Sequence, residues 1–295
     1  MKLFTCVGAL LVVPLALAAC GGDDDRASNA SNAKATGAHE PSVVDITATG
    51  SGDTWAFQLP AKGITGGVVT LRLTNKSTSD THDIQLARVD GHHTADEVKA
   101  LVTSDDDSAP VPAWLHGAGG VATVAPGRSA ETTMRLAPGH YFYFCNDDTN
   151  GTKHSQHGMF GELDVTGDSG ASLPTATAHV DASEYTFATD GLKAGPNLME
   201  FKNTGKELHM VLAAPLQPGK TIDDVKAAMA SESPSGPPPM DFDKAVGAEV
   251  IDPGQSLFVN WDLAAGKYVM ICFMTDHAGG PPHFVNGMIQ ELDVT

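Results

Sequence analysis

Cysteine is scarce in this chain. There are four in 295 residues, and two of them, Cys6 and Cys20, lie at the very start. Only Cys145 and Cys272 remain in the body, and in an oxidising compartment two cysteines would usually suggest a disulfide. Each, however, occupies the same place in one copy of an internal repeat, which makes a bridge between them geometrically awkward. Aromatic residues make up only 6%, while 31 glycines and 18 prolines indicate turns and short strands rather than long helices. Positive charge is thin: 18 Lys and Arg stand against 36 Asp and Glu, a formal net charge of −18. That excludes nucleic acid as a partner and direct adsorption on anionic lipid. It is compatible with a cationic protein partner or simply with solubility. No nucleophile–base pair, phosphate loop or paired-carboxylate pattern is present. With 41% apolar residues the chain can fill about two domains.

The apolar run Leu10–Ala19 follows a short basic segment at Lys2 and is too short to span a bilayer. It ends in Leu17-Ala18-Ala19-Cys20, followed by Gly21-Gly22, and closely resembles the lipobox of bacterial lipoprotein signal peptides. The resemblance implies a signal peptide over 1–19 and lipidation of Cys20, which would anchor the protein to the bacterial membrane. An ordinary secretory signal is the alternative, and either reading places the mature chain outside the cytoplasm. Residues 20–41, with Asp23-Asp24-Asp25 and a Ser/Asn/Ala/Gly run, read as a flexible tether.

The body repeats itself. His82 and His209 lie 127 positions apart, as do Thr94 and Thr221, Pro126 and Pro253, Tyr141 and Tyr268, and Cys145 and Cys272. Beyond the cysteines the offset becomes 129, relating His154 to His283 and Met159 to Met288. Two copies of one domain are expected, domain 1 over 42–167 and domain 2 over 176–295, joined by a linker over 168–175. Alternation in Val69-Thr-Leu-Arg-Leu73 and in Leu257, Val259, Trp261 and Leu263 marks strands. His82 shares the parity of Ile84 and Leu86, so it points to the apolar side of its strand, as His209 does beside Val211. Thr94-Ala-Asp-Glu97 and Thr221-Ile-Asp-Asp224 have capping-box form and open one short helix per copy. The fold class is all-β: two tandem Greek-key β-sandwich domains, each with one short helical insertion.

Each copy therefore offers an inward His, then a Cys at the end of a late strand, a His on the following loop and a Met entering the last strand. The spacing is C-x8-H-x4-M in the first copy and C-x10-H-x4-M in the second. Two imidazoles and a thiolate with a weak thioether describe a blue-copper site, and the thioether argues against zinc. Taken singly, an inward His is a satisfied core residue, a buried Cys an apolar filler and a Met ordinary core. All of them recurring in order in both copies is what points to metal.

At these residues the chain resembles the cupredoxin family, across nearly all of the mature body. The resemblance implies type 1 copper, one per domain if both sites are intact. It assigns His82, Cys145, His154 and Met159 as ligands in the first copy and His209, Cys272, His283 and Met288 in the second. The tandem form and the first loop's spacing look like copper nitrite reductases, in which a His immediately before the Cys bridges to a catalytic copper. Phe144 and Ile271 stand there, and no His-x-His pair occurs, so a non-catalytic electron carrier is expected rather than an enzyme. Cupredoxins often carry Asn after the first ligand His, where this chain has Asp83 and Met210. His157 and His277 are competing ligands. His92, His93, His116 and His140 read as surface residues.

The functional expectation is a lipid-anchored cell-envelope protein carrying out one-electron transfer through type 1 copper, with a redox protein partner met at exposed edges formed by His154 and His283. A protein that buffers or delivers copper is the alternative. A metal-free β-sandwich interaction module is the third reading.

Overall fold

The computed structural model describes residues 39–59, 63–104, 106, 108–231 and 236–295. The signal peptide, Cys20 and nearly all of the tether lie outside the described residues. The first repeat contributes β1 (Ser42–Ser51), β2 (Thr54–Gln58), β3 (Gly63–Thr65), β4 (Gly67–Asn75), β5 (His82–Val89), β6 (Leu115–Val124), β7 (Ser129–Leu136), β8 (Gly139–Phe144), the short β9 (Asp148–Thr149) and β10 (Thr152–Lys153), and β11 (Phe160–Thr166). The second contributes β12 (Ala178–Ser183), β13 (Thr186–Asp190), β14 (Gly195–Asn203), β15 (His209–Pro215), β16 (Val246–Ile251), β17 (Ser256–Leu263), β18 (Gly266–Ile271) and β19 (Ile289–Val294). Helices α1 (Ala95–Val102) and α2 (Ile222–Met229) follow β5 and β15. Both start on complete capping boxes, Thr94 with Glu97 and Thr221 with Asp224, which satisfy backbone N–H groups that the first helical turn leaves open.

Period-2 alternation builds the sandwich. In β4, Val69, Leu71 and Leu73 are buried while Thr70, Arg72 and Thr74 are partly exposed on the other face. In β14, Met199 and Phe201 do the same against Glu200 and Lys202. Each fully buried aliphatic or aromatic side chain of this kind contributes about 2 kcal/mol relative to exposure. The chain passes back and forth between two sheets, as the all-β Greek-key expectation requires.

The two repeats share both sheets, a feature with no trace in the repeat pattern. One sheet has eight strands in the order β13-β12-β14-β17-β7-β4-β1-β2. The other has nine, β19-β18-β15-β16-β6-β5-β8-β11-β3. At the first junction β17 pairs antiparallel with β7, and Thr132 faces Val259, its own repeat equivalent. Equivalent residues meeting across an antiparallel pair is the signature of a local two-fold axis. At the second junction only Ile251 and Ala118 pair in register, and side chains complete the seam. The Gln85 amide accepts from the Val250 N–H at 2.8 Å and donates to the Val250 carbonyl at 3.0 Å, acting as one extra rung of backbone. Asp252 accepts from the Gly117 N–H at 2.8 Å and meets His116 Nδ1 at 2.6 Å, while His116 Nε2 meets Asp90 at 2.9 Å. His116, read from sequence as a surface residue, is a bridge between the copies. One apolar cluster runs through both repeats, from Ile46 and Leu71 to Phe201 and Trp261.

Gln85 is 4% exposed, and Gln85→Leu would take both partners from the part-buried Val250 N–H and carbonyl. A loss of about 2 kcal/mol in unfolding free energy is expected, read by urea denaturation of the metal-free protein. An unchanged midpoint would show that the rung contributes nothing.

Candidate metal centres

The ligand loops are stitched by the same backbone bonds in both copies. Cys145 follows β8 and Cys272 follows β18. The Cys145 N–H donates to the Met159 carbonyl at 3.1 Å, and the Met159 N–H donates to the His154 carbonyl at 3.1 Å. In the second copy Cys272 donates to Met288 at 3.2 Å and Met288 to His283 at 2.9 Å. The turn that allows this needs glycine one residue before each Met. Gly158 has φ of +116° and Gly287 has φ of +114°, values that side chains with a Cβ rarely adopt. A Cβ on Gly158 would also fall 2.1 Å from the Trp55 carbonyl. The two extra residues of the second loop, Pro281-Pro282 included, are absorbed without disturbing this stitch.

Three donors then converge in each copy. His82 and His209 open β5 and β15 and point inward. Cys145 Sγ lies 3.9 Å from His82 Nδ1 and 3.6 Å from His154 Nδ1, and the two Nδ1 atoms are 3.0 Å apart. Cys272 Sγ lies 3.8 Å from His209 Nδ1 and 3.5 Å from His283 Nδ1. In both groups the ligand atoms all fall within 4.8 Å of one another. Ligands bound about 2.0–2.3 Å from one ion stand roughly 3–4 Å from each other, so the spacing suits a single metal ion. Both cysteines are free thiols. All eight expected ligand residues are 0% exposed. Met159 and Met288 sit immediately before β11 and β19, held to their own Cys and His by the backbone bonds above.

The far nitrogens decide which face each ring offers. In the first loop a two-residue Asn150-Gly151 turn joins β9 to β10, the residue pair such tight hairpins favour. It places Thr149, whose hydroxyl donates to Asp80 at 3.1 Å and so is left to accept from His154 Nε2 at 3.0 Å. The proton therefore sits on Nε2 and the Nδ1 lone pair faces the sulfur. His82 Nε2 is held by Ser77 Oγ at 2.6 Å. In the second copy a carboxylate replaces the hydroxyl: His283 Nε2 donates to Asp276 at 3.1 Å, and Tyr185 donates to the same Asp276 at 2.9 Å. His209 Nε2 has no hydrogen-bond partner, and Glu184 lies 3.8 Å away.

Asp83 steadies the first ligand loop. Its two oxygens accept from the Asn146 N–H at 2.7 Å and from Asn146 Nδ2 at 2.8 Å, immediately after Cys145. Met210, its equivalent, cannot do this through its side chain. Asp83 and Asp147 both bring a carboxylate oxygen within 4.8 Å of the Cys145 sulfur.

Electrostatics keep the metal-free sites neutral. Burial, then the carboxylates of Asp83 and Asp147, raise the Cys145 thiol well above its ordinary value. Burial pushes the Cys272 thiol up to about 11. Burial and the facing imidazole lower His82 and His209 to about 4. The imidazoles are thus ready to bind at neutral pH, and each thiol must give up its proton on metal uptake.

One expectation is corrected by burial. His154 and His283 do not form exposed edges. Trp55 covers His154 with ring centroids 4.1 Å apart, and its indole N–H donates to Asp80 at 3.0 Å. Tyr185 covers His283 at 5.2 Å. Nor do the competing histidines join either site: His277 is bound to Glu207 at 2.6 Å, and His157 is exposed. Trp55, Ser77, Thr149, Tyr185 and Asp276 were not visible as site residues in the sequence. Only the closeness of Thr149 and Asp276 to ligand histidines in their loops hinted at them.

No protein-family model and no curated protein matches the chain. Among solved structures, a reduced auracyanin from the photosynthetic bacterium Roseiflexus castenholzii is 26% identical, with 41% of this chain and 96% of that one covered and a TM-score of 0.30. Auracyanin A, a blue copper protein from Chloroflexus aurantiacus, is 20% identical, covering 43% of this chain and 100% of its own, with a TM-score of 0.31. A copper nitrite reductase from Nitrosomonas europaea is 16% identical and spans both repeats, 86% of this chain and 94% of its own, with a TM-score of 0.26. The two His–Cys–His groups, one per repeat, offer the donor set that type 1 copper takes.

The expectation of a non-enzyme does not stand. Solved structures similar to the whole two-repeat body include multicopper oxidases and copper nitrite reductases, which are enzymes.

A third carboxylate crowds the first site from the second repeat. Glu249 on β16 is 7% exposed, and burial, then Asp83 and Asp147, raise its pKa well above the ordinary range. Asp147 is pushed up to about 7, by burial and then by Asp83. A carboxyl raised in the folded state costs nothing below its unfolded pKa, and its cost grows as pH rises towards the folded value. Glu249→Gln should therefore stabilise the metal-free protein at pH 8, and the gain should shrink towards pH 4.5. Thermal unfolding at the two pH values reads this, and an equal gain at both would contradict it.

Proposed function

We propose that this chain is a lipid-anchored protein of the bacterial cell envelope that passes electrons one at a time through type 1 copper to a redox protein partner. The observation that carries the redox part is the convergence, in both repeats, of two imidazole Nδ1 atoms and a thiol in a site closed to solvent. Copper, when bound, supplies a one-electron couple between Cu(I) and Cu(II). The chain's own residues do the rest. The Cys–Met–His backbone stitch holds the donors before metal arrives, so little need move when the charge of the site changes. Trp55 and Tyr185 exclude water from the outer side of each ring. Thr149 and Asp276 fix the protons on the far nitrogens of His154 and His283, and Ser77 holds the far nitrogen of His82. A closed, pre-built site suits electron passage better than copper buffering, because metal exchange would require the stitched loop to open.

The envelope location and the anchor rest on the lipobox-like Leu17-Ala18-Ala19-Cys20, and the tether over 20–41 would hold the body away from the membrane. Metabolic labelling with a clickable fatty acid should mark the wild-type protein and not Cys20→Ala. For the copper sites, purified protein should take up two copper ions, develop a strong thiolate-to-copper visible band and reduce reversibly by one electron per site. Cys145→Ser and Cys272→Ser should each remove one ion and about half of the band, and copper content untouched by both changes would sink the assignment.

A further inference from the structure

A cleft of about 990 Å3 lies where the two repeats meet on the nine-stranded sheet. That volume is at the upper end of the range for small-molecule sites, roughly 300–1,000 Å3. Its lining adjoins both metal centres. Phe144 and Asn146, on either side of Cys145, belong to it, as do Phe273 next to Cys272 and Phe284 next to His283.

Two aromatic pairs, one from each repeat, shape the cleft. His93 stacks on Trp114 with centroids 3.6 Å apart and planes 11° from parallel, which makes a flat platform. Phe273 and Phe284 meet edge to face at 5.7 Å, and Phe273 is 40% exposed although large and apolar. The charged and titratable side chains that reach the cleft are occupied. Glu97 caps α1 through Thr94, and His93 lies 3.8 Å from the same carboxylate. Asp106 accepts from Ser108, and His116 sits between Asp90 and Asp252. Gln85 and Asn146 spend their amides on Val250 and Asp83. A charged ligand would find no free counter-charge among these groups, and a flexible chain would gain nothing from a flat platform. A flat, neutral ring system gains both apolar burial and stacking.

We infer that this cleft binds a neutral, planar aromatic molecule of about two fused rings, held between the repeats against residues that adjoin both cysteines. Binding needs no metal, so it stands or falls separately from the copper assignment. The test uses 1-naphthol as probe, titrated calorimetrically into the full chain in its metal-free and copper-loaded forms. Saturable one-to-one binding is expected, weakened at least tenfold by Trp114→Ala and by Phe273→Asp. Circular dichroism checks that both variants fold, and copper uptake by Trp114→Ala should equal that of the wild type. The inference is overturned by the absence of saturable binding up to the probe's solubility. It is equally overturned by affinity that neither variant changes, or by n-octanol binding as tightly as 1-naphthol.

Discussion

The backbone bond from the cysteine N–H to the methionine carbonyl is the constraint on which the metal centres depend. It closes a loop whose ends are two neighbouring strands of one sheet, and with the Met-to-His bond it sets where three candidate ligands stand before any metal is present. The same pair of bonds forms at Cys145 and at Cys272, although the loops differ in length by two residues. The extra length is free to vary because it lies between the Cys and the His, outside the His–Met turn that glycine shapes.

The two centres share donors but not their surroundings. Around the first, hydroxyls of Ser77 and Thr149 hold the imidazoles, and carboxylates gather near the sulfur. Around the second, Asp276 holds one imidazole and the other is left without a partner. A carboxylate on the far nitrogen makes the ligating nitrogen more basic than a hydroxyl does. Carboxylates near a thiolate work against its charge. The repeats are therefore alike in geometry and unlike in electrostatics.

The junction makes one body of the two copies. Both sheets continue across it, yet the second sheet is joined in register at a single pair, and Gln85, His116 and Asp252 finish the seam. Gln85 has Leu212 as its repeat equivalent, so its rung has no counterpart from the second repeat. The aromatic cleft lies along this junction, lined by Gln85 and Gly117 from one repeat and Val250 from the other.

The sequence by itself determined the strands, the capping boxes, the repeat and the ligand order, because each is a local pattern: alternation of period two, a cap residue with its partner three positions on, and a fixed spacing from Cys to His to Met. Even the inward direction of His82 and His209 follows from strand parity. Tertiary structure alone decided the rest. The fusion of the sheets depends on which edges meet, and edge contacts leave no periodic mark. The covering of His154 by Trp55 and of His283 by Tyr185 joins residues about 100 positions apart, beyond the reach of any spacing rule. For the same reason, burying two histidines expected at exposed edges was a decision of the packing, since a loop position carries no parity from which to read which way its side chain faces.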